Sequence, residues 1–147
     1  MSLVAAADLV VAGERAKFTM GYTAAGLAPD GGSTFFLSRV VGLRRAMDLV
    51  LTNRVLTAPE AEAWGLVTRV VADDRVDEEA AALASTLAAG PTAVPSTAKR
   101  LVIEGASSAL AAALNRETVA ISAAAASADG REGIAAFVEK RPPRFGG

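Results

Sequence analysis

The sequence contains neither cysteine nor histidine in its 147 residues. The lack of cysteine excludes disulfides, thiolate nucleophiles and thiolate-bound zinc or iron–sulfur sites. The lack of histidine removes the commonest general base, the serine–histidine dyad and imidazole metal ligands, so no metal site is expected. Aromatic residues make up only 5%, with one tyrosine and one tryptophan. Neither sign of charge is in excess: 15 Lys and Arg against 16 Asp and Glu give a net charge of −1. Nucleic-acid partners and polybasic membrane contacts both need a cationic surplus, so neither is expected. Long apolar runs are also missing. The longest uncharged stretch, Ala80–Ala98, carries Gly90, Pro91 and Pro95, which argue against a single spanning helix. The first residues lack a basic segment and Asp8 interrupts their apolar run, which is not a signal-peptide pattern; a cytoplasmic location is the expectation. Any chemistry must come from carboxylates, hydroxyls, lysines, backbone amides or a bound group.

What is abundant is alanine, 34 residues of it, within a hydrophobic share of 52%. Alanine is the best helix former and lets helices approach closely. The pattern predicts short strands at Leu9–Ala12 and Lys17–Met20 around a turn at Gly13-Glu14-Arg15. A glycine-rich loop follows over Gly21–Gly32, containing Pro29-Asp30-Gly31-Gly32. A helix from Ser33 to the stop at Gly42 places Phe36, Leu37, Val40 and Val41 on one face. A second, Arg44–Leu51, places Met47, Val50 and Leu51 together. Thr57-Ala58-Pro59-Glu60 has the spacing of a helix start, with Thr57 as N-cap and Glu60 three residues on. Leu66–Val71 alternates as a strand, and helices are expected over Val76–Ala89, Ser96–Glu104, Ala109–Ser127 and Arg131–Lys140. The paired prolines at Pro142 and Pro143 stop the last one. Trp64, Phe35 and Phe36 read as core, Lys99-Arg100 as an exposed face, and Asp73-Asp74 with Asp77-Glu78-Glu79 as acidic surface.

Several short motifs then occur in one order: Ala7-Asp8-Leu9-Val10-Val11-Ala12, Ala16-Lys17-Phe18, Gly26-Leu27-Ala28-Pro29-Asp30-Gly31-Gly32-Ser33-Thr34, Leu51-Thr52-Asn53, Gly65-Leu66-Val67, Arg131-Glu132-Gly133-Ile134-Ala135-Ala136-Phe137 and Lys140-Arg141-Pro142. Together they resemble the enoyl-CoA hydratase/isomerase superfamily, the crotonases. The resemblance implies an α/β fold, a crotonase-like (ClpP/crotonase) spiral of β-turns and helices. It is partial, matching the C-terminal part of the family, with core residues 1–75 and a helical segment 76–147 for CoA capping and oligomerisation. It also implies an acyl-CoA thioester as substrate, a place in fatty acid metabolism, no cofactor beyond the coenzyme A of the substrate, and homo-oligomers, trimers or hexamers. The family chemistry is stabilisation of a thioester enolate by two backbone N–H groups, with carboxylates moving the proton.

In hydratase-like members a Pro-Glu pair precedes the Gly-x-x-Pro loop, and a second glutamate lies beside the glycine-rich turn. Here the matching positions read Gly21-Tyr22 and Ser2 or Leu3. Lyase chemistry by addition of water is therefore disfavoured, and Asp30 resembles the loop aspartate of a subset of enoyl-CoA isomerases. Asp30 is the candidate base; the competing reading makes it only the N-cap of the following helix. Tyr22, Leu27, Pro29 and Gly31 are candidate substrate contacts, although tyrosine packing and a tight glycine turn account for Tyr22 and Gly31 equally well. Phe137 and Lys140 are, by resemblance, contacts to the CoA nucleotide, against a plain solvated basic helix end. The alternative function is a catalytically silent, truncated or assembly module.

Overall fold

Thr57 and Glu60 begin a helix as their spacing predicts. The Thr57 backbone N–H donates to Glu60 Oε2 at 3.0 Å and the Thr57 hydroxyl donates to the same oxygen at 2.8 Å. These bonds, with that to Arg54, hold the Glu60 carboxyl below its ordinary range, the Thr57 N–H being the largest cause. The structure, a computed structural model, describes residues 1–91 and 93–146; Thr92 and Gly147, within the expected helical segment, lie outside them.

The chain forms two compact units, Met1–Ala82 and Leu83–Gly147. The first opens with α1 (Ser2–Ala6), β1 (Val11–Gly13) and β2 (Lys17–Phe18). The glycine-rich loop contains one 3-10 turn, Thr23–Ala25, and leads into α2 (Ser33–Val41) and α3 (Leu43–Thr52). Next come β3 (Leu56–Thr57), α4 (Ala58–Ala63), β4 (Arg69–Val71) and α5 (Val76–Ala88), within which the division falls. β1 pairs parallel with β4, Val11 opposite Arg69, and β2 pairs antiparallel with β3, Lys17 opposite Thr57. The strands are shorter than the sequence pattern suggests. Leu66 and Val67 are buried side by side ahead of β4, because both their N–H groups turn back to the Ala61 carbonyl.

The core of this unit is built from Ala5, Ala12, Met20, Leu37, Val41, Ala46, Leu49, Leu56, Ala61, Leu66 and Val67. Two expected helix faces need correction. On α2 the buried row is Ser33, Leu37 and Val41, spaced by four, while Phe36 and Val40 are exposed. On α3 the buried residues are Ala46 and Leu49, while Met47 and Leu51 face outward. In both helices a small residue, Ser33 or Ala46, is part of the buried row, which apolar bulk does not reveal. Trp64 is half-buried against the core, with the guanidinium groups of Arg45 and Arg54 4.9 and 4.8 Å from its ring centre.

The second unit holds α6 (Ala93–Gly105), α7 (Leu110–Ala126) and α8 (Ala128–Glu139), α6 packing on α7 and α7 on α8. Among its described residues only Ala136 is buried, and large apolar side chains such as Val102, Leu110, Val119, Ile121 and Val138 are exposed. Its polypeptide end turns back along α8. Arg141 makes a two-pronged contact with Glu132, at 2.6 and 3.0 Å, and the Arg144 N–H donates to Glu132 Oε1 at 2.8 Å. Among the described residues no helix is long and apolar enough to cross a membrane.

Candidate active site

The glycine-rich loop bends sharply because Gly21, Gly26, Gly31 and Gly32 all have positive φ. Its first part is anchored through Thr23. The Thr23 hydroxyl donates to the Val50 carbonyl at 2.8 Å and accepts from the Asn53 side-chain amide at 2.6 Å. Asn53, itself left-handed at φ 52°, terminates α3. Sequence reading matched Asn53 to a motif without giving it a task; its task here is to hold the loop that carries Tyr22.

Within the loop, the Tyr22 carbonyl accepts from the N–H groups of Ala25 and Leu27, at 3.0 and 2.9 Å. The ring packs against the core and its hydroxyl emerges at the far end of the loop. There Tyr22 Oη donates to Asp30 Oδ1 at 2.6 Å. A phenol donating to a carboxylate at that separation is a charge-assisted bond. Ser2, at the start of α1, completes the group: its Oγ lies 3.3 Å from Tyr22 Oη and 3.3 Å from the Asp30 carbonyl oxygen. The one tyrosine proton is committed to Asp30, so Ser2 is the donor, sharing its hydrogen between two acceptors at long range.

The cap reading of Asp30 is corrected. Gly32, at φ 74°, is the N-cap of α2, and no side chain caps it. The Ser33 N–H finds the Asp30 backbone carbonyl, at 3.1 Å, and leaves the carboxylate out of the helix ladder. At Gly31 a side chain would be crowded and strained: a Cβ there would stand 3.2 Å from the Ser2 Cβ, on a left-handed backbone. That close approach is what brings Ser2 against the loop.

Of the positions singled out in the sequence, Tyr22, Asp30 and its neighbours Pro29 and Gly31 come together; Asp30 and Gly31 are exposed and Pro29 half-buried. Leu27 is exposed. Phe137 and Lys140 belong to the second unit. Phe137 is 86% exposed on α8, and Lys140 ends that helix in the left-handed region at φ 55°. Also in that unit, a cleft of about 820 Å³ is lined by Val94, Leu101, Val119 and Ala120, among others. Of the pair Ser2 and Leu3, Ser2 reaches Tyr22 and the Asp30 carbonyl, and Leu3 is exposed. Among the described residues no three acidic side chains gather as a metal site would require.

The chain is similar along its length to known proteins. A family model described as Enoyl-CoA hydratase/isomerase matches residues 1–147. A Rhodobacter capsulatus protein named "Probable enoyl-CoA hydratase" is 40% identical over 99% of this chain and 57% of its own. The 1,2-epoxyphenylacetyl-CoA isomerase of Escherichia coli is 38% identical over 99% of this chain and 56% of its own. The crystal structure of an enoyl-CoA hydratase from Polaromonas sp. JS666 superposes with a TM-score of 0.93 at 33% identity, covering 98% of this chain and 56% of that one. The chain thus spans a little over half the length of the relatives it matches. The short strands, the positive-φ loop and the helices fit a crotonase-like fold, and with a match over every residue the chain belongs to the enoyl-CoA hydratase/isomerase family.

Proposed function

We propose that this chain belongs to an acyl-CoA isomerase in which Asp30 is the single base. The observation that carries this reading is the bond from Tyr22 to Asp30 Oδ1, at 2.6 Å, in a group whose other member is Ser2. The positions that the family resemblance matches to hydratase glutamates are Tyr22 and either Ser2 or Leu3, none of them an acid, and of these Ser2 and Tyr22 carry side-chain oxygens. Ser2 Oγ and Tyr22 Oη are 3.3 Å apart, and among the described residues the acidic side chain bonded to this pair is Asp30. Activating water and protonating carbon calls for a pair of acids; moving a proton between two carbons calls for one.

In the reaction proposed, Asp30 takes a proton from C2 of a 3-enoyl thioester. The C–H electron pair becomes part of a dienolate whose charge rests on the thioester oxygen. Asp30 then returns the proton to C4, the double bond moves into conjugation, and the carboxylate is regenerated. The oxyanion needs backbone N–H donors, which the resemblance places in the part of the family that this chain does not span. Leu27, Pro29 and Gly31 lie on the same loop and would line the acyl group. By resemblance, Phe137 and Lys140 would meet the CoA nucleotide bound to a neighbouring copy, and the exposed apolar residues of the helical unit would pack against further copies in a trimer or hexamer.

The test is incubation with a 3-enoyl-CoA, following the absorbance of the conjugated thioester. Asp30→Asn is expected to lower turnover by about 10²- to 10⁴-fold, the usual worth of a positioned base. Undiminished turnover in that variant overturns the assignment, as does hydration of a 2-enoyl-CoA at a comparable rate. The exposure of Asp30 favours a second reading, a catalytically silent module that binds acyl-CoA or assembles with copies. A calorimetric signal for CoA without turnover would select it.

A further inference from the structure

We propose that Tyr22 is the positioning residue of Asp30: its hydroxyl occupies Oδ1 and so makes Oδ2 the reacting oxygen. This rests on the isomerase reading above and adds to it the residue that gives the carboxylate a direction.

A free aspartate on an exposed loop is a poor base for a defined proton path. Its two oxygens are equivalent and its χ angles are unrestrained. Three features remove that freedom here. Among the described residues, the only hydrogen bond to the Asp30 carboxylate comes from Tyr22 Oη, so the two oxygens are distinguished by one donor. The donor cannot wander. The Tyr22 N–H is bonded to the Met20 carbonyl at 2.8 Å, its own carbonyl is bonded twice, and its ring packs against the buried core. The backbone beneath Asp30 is held as well, its carbonyl accepting from the Ser33 N–H and from Ser2 Oγ. Ser2 in turn supplies a hydrogen to the tyrosine oxygen, so a chain runs Ser2 to Tyr22 to Asp30 with each donor polarising the next.

A carboxylate fixed at one oxygen keeps the lone pairs of the other directed along one line, which is what a proton shuttle between C2 and C4 of one bound acyl chain requires. The phenol donates to Oδ1 throughout. When Oδ2 holds the proton in mid-reaction, Oδ1 is a carbonyl oxygen and still accepts, in a weaker bond without charge assistance. The direction of the bond is therefore kept during the cycle and neither residue moves.

Because Tyr22 is the single tyrosine, its ring vibrations report on the hydrogen bonding of this one hydroxyl, and Asp30→Ala isolates the share of its bond to the carboxylate. Raman spectra of the wild-type chain are expected to show the doublet ratio of a strongly donating phenol, and Asp30→Ala to shift it to that of a hydrated one. Tyr22→Phe keeps the packed ring, so its melting temperature is expected near wild type. Its kcat on a 3-enoyl-CoA should fall about 10- to 100-fold with KM within about twofold, the pattern of lost alignment rather than lost binding. A tyrosine signal identical in wild type and Asp30→Ala overturns the proposal whatever the activity. So does a Tyr22→Phe chain with wild-type kcat. If the wild-type chain shows no turnover, the isomerase reading falls instead, and the tyrosine signal decides by itself whether Tyr22 holds the carboxylate.

Discussion

The side-chain amide of Asn53 donates to the Thr23 hydroxyl at 2.6 Å and thereby ties the end of α3 to the loop that carries Tyr22. Thr23 passes its own hydrogen on to the Val50 carbonyl, so one hydroxyl staples the loop to the helix from both sides. Asn53 does this from φ 52°, a backbone setting that most residues resist. Two substitutions separate its tasks. Asn53→Gly keeps the left-handed turn and loses only the amide bond, with an expected loss of about 1 kcal/mol. Asn53→Ala loses the bond and also strains the backbone, for about 2 kcal/mol in all. Urea unfolding followed by circular dichroism measures both; equal losses would mean that the left-handed setting contributes nothing.

Gly13 makes a different demand, for space. It is buried at the end of β1, and a Cβ there would overlap the Asp73 carboxylate. That carboxylate accepts from the Arg15 N–H at 3.2 Å and pairs with the Arg15 guanidinium, closing the turn between β1 and β2 over the segment after β4. Gly13→Ala must expel Asp73 and lose these bonds, with an expected destabilisation of about 1–3 kcal/mol, the range for overfilling a packed site. If Asp73 is the obstacle, Gly13→Ala combined with Asp73→Ala loses less than the two single losses added. Strict additivity in unfolding experiments would show that the carboxylate is not what Gly13 accommodates.

How much of this was legible beforehand depends on how local each signal is. Thr57 and Glu60 are read correctly because a helix start is written within four residues. The stops at Gly42 and Gly65 have positive φ, which glycine tolerates and other residues seldom do. The buried rows of α2 and α3 include Ser33 and Ala46, small residues that a pattern of apolar bulk passes over. In a chain with 34 alanines, small size at a contact carries information that a hydrophobic pattern omits. Tyr22 and Asp30 were both visible as individual residues, but their contact was not. Eight positions apart in a loop, they meet where the chain turns back through the 3-10 turn Thr23–Ala25 and the left-handed Gly26 between them. The role of Ser2 depends on how the first residues fold onto that loop, for which the sequence holds no short-range signal.

The clasp on Glu132 gives a prediction about pH. Glu132 accepts two bonds from Arg141 and one from the Arg144 N–H. The Arg141 guanidinium is the largest cause, and the Arg144 N–H the next, holding the carboxyl at about 2 against an ordinary value of 4.5. Glu132 in turn pushes the Arg141 guanidinium further up. A carboxyl lowered in the folded state favours the closed tail fully above its ordinary value and loses that contribution as pH falls toward the lowered one. The tail, with Phe145 resting near Gly133, is therefore expected to stay closed at neutral pH and to open progressively between pH 4.5 and about 2. The Arg144 amide resonance in an NMR titration reads this directly, since its partner is the titrating group. In Glu132→Gln the charge is gone, so that resonance should already sit near its acid-limit position at pH 7 and move little on acidification. A resonance that titrates in the variant as it does in wild type would show that Glu132 is not the group that opens the tail.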